Sequence, residues 1–188
     1  MSKIFVDQIA SKTVGTNYNF IKQVGHAKFL GNETSNSSSF VDITNLTVTL
    51  TPSETTSKFL IIGNVSANAN QNQRGGIKVV RRIGSGSFSD FDLPDFSAGS
   101  LGGAVTSQGS RKLAHAIFDG GGSNIPNTPT SMTLLDSPNT TSAITYAVEI
   151  APNYSNGNLG LNFYLPNNTD AIYIPVAAST LTIMEIAQ

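Results

Sequence analysis

Cysteine is absent from the 188 residues, and so is tryptophan. Without cysteine there is neither a disulfide framework nor a thiolate metal site, so durability must come from elsewhere, and association of several copies is the obvious source. Charge is scarce as well. Asp, Glu, Lys and Arg make up 12% of the chain and the formal net charge is −1, which is not the basic footprint that nucleic-acid binding requires. No apolar run approaches the ~20 residues of a membrane helix. The opening MSKIFVDQIASK has no basic stretch leading into an apolar core, so neither membrane insertion nor a secretory signal is expected.

Apolar residues still amount to 39%, too many for a disordered chain, and the length suits one well-buried core and not two domains. Solvation therefore falls to uncharged Ser, Thr and Asn. That balance suits antiparallel sheets with hydroxyl-rich outer faces and lacks the Glu, Lys and Ala of solvent-facing helices.

Alternation locates the strands. Val41 and Ile43 are in one phase and Leu46, Val48 and Leu50 in the other, so residues 44–45 must hold a bulge or sharp bend. Pro52 ends that ladder in a turn over 51–57, and residues 59–62 are apolar on both faces, as a covered central strand requires. Further strands are expected over 77–83, 132–135, 144–150, 159–165, 171–176 and 181–186, at the spacing of a sandwich and not of βαβ units. Within 77–83, Lys78 and Arg82 share a face and Arg81 points the other way. Residues 111–118 fit a helix face or a strand. Residues 84–109 are irregular and rich in Gly, Ser and Phe, which suits a functional loop as well as a segment packed on the sandwich. Residues 1–35 read as an arm and 36–188 as the sandwich; the alternative is that the opening residues supply its first strands. In the last strand Leu181 and Ile183 lie on one face and Met184 and Ile186 on the other, so something outside the subunit's core must cover one of them.

Three stretches carry a resemblance. LLDSPNTTSAITYAVEI (134–150), the closing TLTIMEIAQ (180–188) and SSFVDITNLTVTLTPSETTSKFLII (38–62) resemble small β-sandwich domains in tail fibres and related virion proteins of bacteriophages, many of them marine. The likeness spans roughly residues 38–188. It implies an all-β fold, an antiparallel β-sandwich of the jelly-roll, tumour-necrosis-factor-like kind, with an N-terminal extension that attaches to other virion proteins. In such jelly rolls the last strand lies near a threefold axis. The expected assembly is thus a homotrimer, with Leu181, Ile183, Met184 and Ile186 assigned to its interface. Phe91, Asp92, Phe96 and Tyr154 are the candidate loop residues for a receptor or partner, with host surface glycan as the ligand class. The implied role is a tail-fibre or receptor-binding part of a virion assembled in the host cytoplasm, or else a capsid or tail decoration that binds no ligand.

Catalysis finds little support in the residues. Only His26 and His115 are available to a triad, and each reads as a surface or partly packed side chain. Asp90, Asp92 and Asp95 are close enough in sequence to share a calcium ion, yet they lack the Gly and terminal Glu of an EF-hand and read as solvated loop acids. No enzyme, cofactor or metal is expected.

Overall fold

The structure, a computed structural model, describes residues 20–37, 39–69, 74–93, 114–119, 128–152, 159–162 and 177–186. Eleven strands run through them: β1 (Ile21–Phe29), β2 (Glu33–Ser35), β3 (Val41–Leu50), β4 (Lys58–Ala69), β5 (Arg74–Ile83), β6 (Ser89–Asp90), β7 (Ala116–Asp119), β8 (Thr128–Asp136), β9 (Ile144–Pro152), β10 (Leu159–Leu161) and β11 (Ser179–Ile186). All pairings are antiparallel.

They form two sheets. In the first, β4 pairs with β8 along one edge, and with β11 and then β10 along the other; β1 and β2 follow outside β11 and β10. In the second the order is β3, β9, β5, with β7 and β6 sharing the far edge of β5. If β2, β6 and β10 are counted as extensions, eight principal strands remain. The first, eighth, third and sixth make one sheet, and the second, seventh, fourth and fifth make the other. Such an exchange of successive strands between two sheets is a jelly roll. The fold is therefore an all-β jelly-roll sandwich.

The core follows from alternation. Phe59, Ile61, Leu181, Ile183, Leu159 and Leu161 of the first sheet meet Ile43, Leu46, Val48, Ile77, Val79, Ile144, Val148 and Ile150 of the second, all buried. The expected break in β3 is present, with the register against β9 shifting between Asp42 and Thr47. Asn45 there takes φ 61°, a left-handed conformation that Asn tolerates better than most residues. Both hydrophobic phases of β3 thus face inward. Glu33 holds the bend from β2, accepting hydrogen bonds from Thr44 N (3.0 Å) and Thr44 Oγ1 (3.1 Å).

The arm boundary needs correction. Residues 21–29, assigned to the arm, pair with β11 from Ile21 opposite Ile186 to Phe29 opposite Ser179, with one bulge. Ala27 and Phe29 pack on the core, so these residues are the sandwich's first strand, and the polar residues that follow supply β2. Residues 1–19 lie outside the described residues. Of the ambiguous 111–118, residues 116–118 begin β7, and 111–113 lie outside the described residues, as do 163–165 and 171–176.

Gly25 shows how closely β1 is fitted. A Cβ there would run into the Val48 side chain and come within 3.2 Å of Leu50 Cδ2. Gly25→Val is expected to lower stability by roughly 1–3 kcal/mol through overpacking, measured as a drop in the urea midpoint. Unchanged stability would mean that β1 is not seated on β3.

Candidate functional site

Two buried carboxylates give the quoted motifs their structural meaning. Asp136, the acid of LDSP, ends β8 facing inward and is 4% exposed. It forms an ion pair with Arg81 of β5 and accepts a hydrogen bond from the Tyr146 hydroxyl of β9 at 2.9 Å. Both partners belong to the opposite sheet, so the cluster ties the two layers together. Tyr146 also packs tilted against Phe59 and edge-to-face against Phe91, at 5.9 Å between centroids in each case. Burial, then the Asp136 charge and hydrogen bond, push the phenol's pKa far above its ordinary value, which keeps it a donor.

Glu185, the acid of TIMEI, lies in phase with Leu181 and Ile183 and is fully buried. Its Oε1 accepts from Ser53 N (2.7 Å), Ser53 Oγ (2.6 Å) and Ser57 Oγ (2.6 Å), and its Oε2 from Gln23 Nε2 (2.5 Å). The TPSETTS turn is thus bound to the last strand. Burial opposes the charge, but the Ser53, Ser57 and Gln23 donors outweigh it and hold the carboxyl below its ordinary value.

The assigned interface residues divide. Leu181 and Ile183 have no exposed surface and belong to the subunit's own core, so they are withdrawn from the interface. Met184 and Ile186 lie on the outer face, half-buried. Register places Met184 between Val24 of β1 and Leu60 of β4, with Leu135 of β8 beyond. The result is an apolar row across four strands whose ends, Val24 and Leu135, are 54% and 49% exposed. Ile21 and Ile186 extend it on one side, and on the other comes the row His26, Thr182, Ile62, Thr133. His26 Nδ1 shares a hydrogen bond with Thr182 Oγ1 at 2.8 Å. The middle of this face carries no charged side chain among the described residues; Lys28 and Lys58 mark its two ends.

The loop assignments fare differently. Phe91 is 8% exposed, against Tyr146 and His115 and below the Arg81 guanidinium, so it is a core residue and presents no aromatic surface to a ligand. Asp92 beside it is exposed at φ 50°. Phe96 and Tyr154 lie outside the described residues, as does Asp95; Asp90 is bound to Lys78 at 2.6 Å. Lys78 also pairs with Glu149 at 3.0 Å and stands 4.5 Å from the Phe40 ring centroid. Burial works against its charge, and the two carboxylates prevail, raising its pKa. No group of three potential metal ligands occurs among the described residues, and no described helix is long and apolar enough to cross a membrane.

His115 is built into the fold. Its Nδ1 accepts from Val79 N at 3.0 Å and its Nε2 meets Phe91 O at 2.9 Å, which requires the neutral Nε2–H tautomer. Burial lowers its pKa, against the smaller opposing effects of the Phe91 carbonyl, Asp92 and Asp90.

Comparison with known proteins adds little. No protein-family profile and no curated protein matches the chain. Among solved structures, a chain in the structure of infectious bursal disease virus Gx strain is similar at 12% identity with a TM-score of 0.38, over 100% of this chain and 43% of that one.

Two measurements follow from the buried groups. Because the unfolded state binds the extra proton when a folded-state pKa is lowered, the contribution of His115 is complete above pH 6.5 and is lost as pH falls from there through its folded value; that of Glu185 is lost below pH 4.5 in the same way. Urea midpoints between pH 8 and pH 4 should fall in that order, and His115→Gln should remove the upper decline; if the decline persists in the variant, another group causes it. Separately, Arg81→Met leaves Asp136 buried without its cation and should cost about 3–5 kcal/mol, against about 1 kcal/mol for Tyr146→Phe. An Arg81→Met loss below about 1 kcal/mol in denaturant titrations would refute the tie between the sheets.

Proposed function

We propose that this chain is a bacteriophage virion structural protein, a tail-fibre or receptor-binding domain that assembles as a homotrimer through the outer face of β1, β11, β4 and β8. The observation that carries the reading is the apolar row of Val24, Met184, Leu60 and Leu135 on a face with no charge at its middle. A water-exposed sheet normally carries polar side chains outward, and an uncharged apolar face can meet a copy of itself without like-charge repulsion. The motifs that resemble phage virion domains agree with this role, since their acids, Asp136 and Glu185, lock the jelly roll and leave its outer surfaces to partners. In the proposed particle, residues upstream of β1 join other virion proteins and the exposed loops meet host glycans. The role is non-catalytic.

Light scattering on the purified protein is expected to give roughly three times 19.8 kDa, a closed cyclic assembly. Met184→Asp should yield folded, dissociated subunits, because it sets an unpaired carboxylate on the shared face at a cost of several kcal/mol if dry. Ile183→Asp, facing the core, should abolish the cooperative melt. A monomeric wild-type protein at micromolar concentration, or a Met184→Asp trimer with unchanged melting, would defeat the proposed assembly. Labelling intact particles for this chain distinguishes a fibre tip from a decoration of the capsid or tail.

A further inference from the structure

The far edge of β5 is covered by two short strands that do not meet. β7 pairs with Arg74–Ile77, and β6 with Val80 and Arg81, which leaves the backbone of Val79 between them with no strand partner on that side. The His115 side chain takes the place of one. Its backbone N–H donates to Ile77 O at 3.0 Å, its Nδ1 accepts from Val79 N at 3.0 Å, and its Nε2 donates to Phe91 O at 2.9 Å. The imidazole thus splices the two strands, holding β5 through one nitrogen and the stretch after β6 through the other.

One ring nitrogen is committed as acceptor and the other as donor, which only the neutral imidazole can satisfy. A second proton, on Nδ1, would face the Val79 N–H donor against donor. The ring must then turn away, and the N–H of Val79, a residue with no exposed surface, loses its acceptor unless the backbone opens. Charges around the ring act in the same direction. Asp90 and Asp92 attract an imidazolium and Lys78 repels it, so a protonated His115 competes with Lys78 for Asp90, whose 2.6 Å ion pair holds β6 to β5. Other charged groups nearby, among the described residues, are already engaged: Glu149 with Lys78, and Arg81 with Asp136, to which Tyr146 also donates. His26 shows the contrast. Its partner is the Thr182 hydroxyl, which rotates to accept once the ring becomes a donor.

The segment that His115 retains is otherwise lightly held. β6 has two residues, with Ser89 Oγ 3.3 Å from Arg81 O, and Arg82 and Arg81 lie over the Phe88 and Phe91 rings. The turn before it is pinned separately, by Gly84 N to Ala143 O at 2.8 Å and Gly86 N to Ile83 O at 3.1 Å. Phe91 is 8% exposed, and its ring packs 5.7 Å from that of His115, so movement of the imidazole removes one wall of its pocket.

We infer that residues 87–93 form an acid-opened flap: a proton taken from solvent by His115 Nδ1 breaks the bond to Val79, β6 lifts from β5, and the Phe91 ring is bared. The device lies on the second sheet and does not depend on the assembly proposed for the first. It gives the domain an aromatic surface in acid that is covered at neutral pH.

Amide hydrogen exchange of the full chain, read by peptide mass spectrometry at pH 8 and pH 5 and corrected for the intrinsic rate at each pH, tests the flap. Exchange in residues 87–93 should quicken about tenfold or more at pH 5. β11 should keep its rates, since the contribution of Glu185 is lost only below pH 4.5. In His115→Gln, whose side chain does not titrate, the flap should exchange equally at both pH values, whereas His26→Gln should follow the wild type. Acceleration that survives in His115→Gln, acceleration of β11 by the same factor, or none in the wild type would each overturn the inference. Should His115→Gln not fold, long-range proton–nitrogen spectra of the wild-type ring decide: loss of the Nε2–H tautomer in step with flap exchange supports the device, and a ring that titrates while the flap stays closed refutes it.

Discussion

A carboxylate removed from water must meet compensating donors or positive charge, and in this jelly roll that requirement is met across the gap between the sheets. Asp136 leaves the end of β8 and finds Arg81 and Tyr146 on the facing layer. Hydrophobic contacts are non-directional and would tolerate small slips of one sheet over the other. An ion pair and a phenol hydrogen bond converging on one carboxylate do not, because a slip leaves a buried charge unanswered. The position of β8 relative to β5 and β9 is thus fixed, and with it the place of Phe91, which fills the space beside the same cluster. Glu185 does the same for the other end of the chain, setting the 51–57 turn against β11 through hydroxyl and amide donors.

What could be read in advance was whatever alternation controls. The phase change in β3 demanded an irregularity and Asn45 provides it; the opposed directions of Lys78 and Arg81 on β5 followed from the two-residue repeat, and their separate partners agree with it. The division of β11 into a Leu181 and Ile183 face and a Met184 and Ile186 face came from the same rule. Errors arose where tertiary context outweighs local pattern. The polar stretch after Phe29 has no apolar alternation to mark a strand, but it carries β2 and passes the chain from one sheet to the other. Phe91 sits in a Gly- and Ser-rich region that has no periodicity to reveal burial. Glu185 did carry a signal, being in phase with two core residues and matched by a Ser-rich turn far upstream, yet a lone acid near an end is ordinarily solvated, and only the fold brings Ser53 and Ser57 to it.

The two outer faces have different chemistry, and the difference lies in side-chain length. On the first sheet, short and medium apolar residues and threonines leave a smooth surface. On the second, Val80 and Ala147 are buried although alternation points them away from the core. On that face the charged heads of Lys78 and Arg82 reach Asp90, Glu149, Phe40 and Phe88. The continuous apolar row that could drive association by burial lies on the first sheet, whereas on the second the exposed large apolar side chain of β7 is Ile117.

The position of β11 also sets an order of events. It is the last of the described strands and an interior strand of its sheet, flanked by β1 and β4. Until residues 179–186 leave the ribosome, β1 has no neighbour in its sheet and one edge of β4 stays open along Lys58–Asn64. Closure then joins Ile21 to Ile186, a contact of very high sequence separation and correspondingly slow to form. The first sheet therefore stays unfinished until residues 179–186 are made, and the exposed edge of β4 is the place where a nascent chain would pair wrongly with a neighbour if closure were delayed.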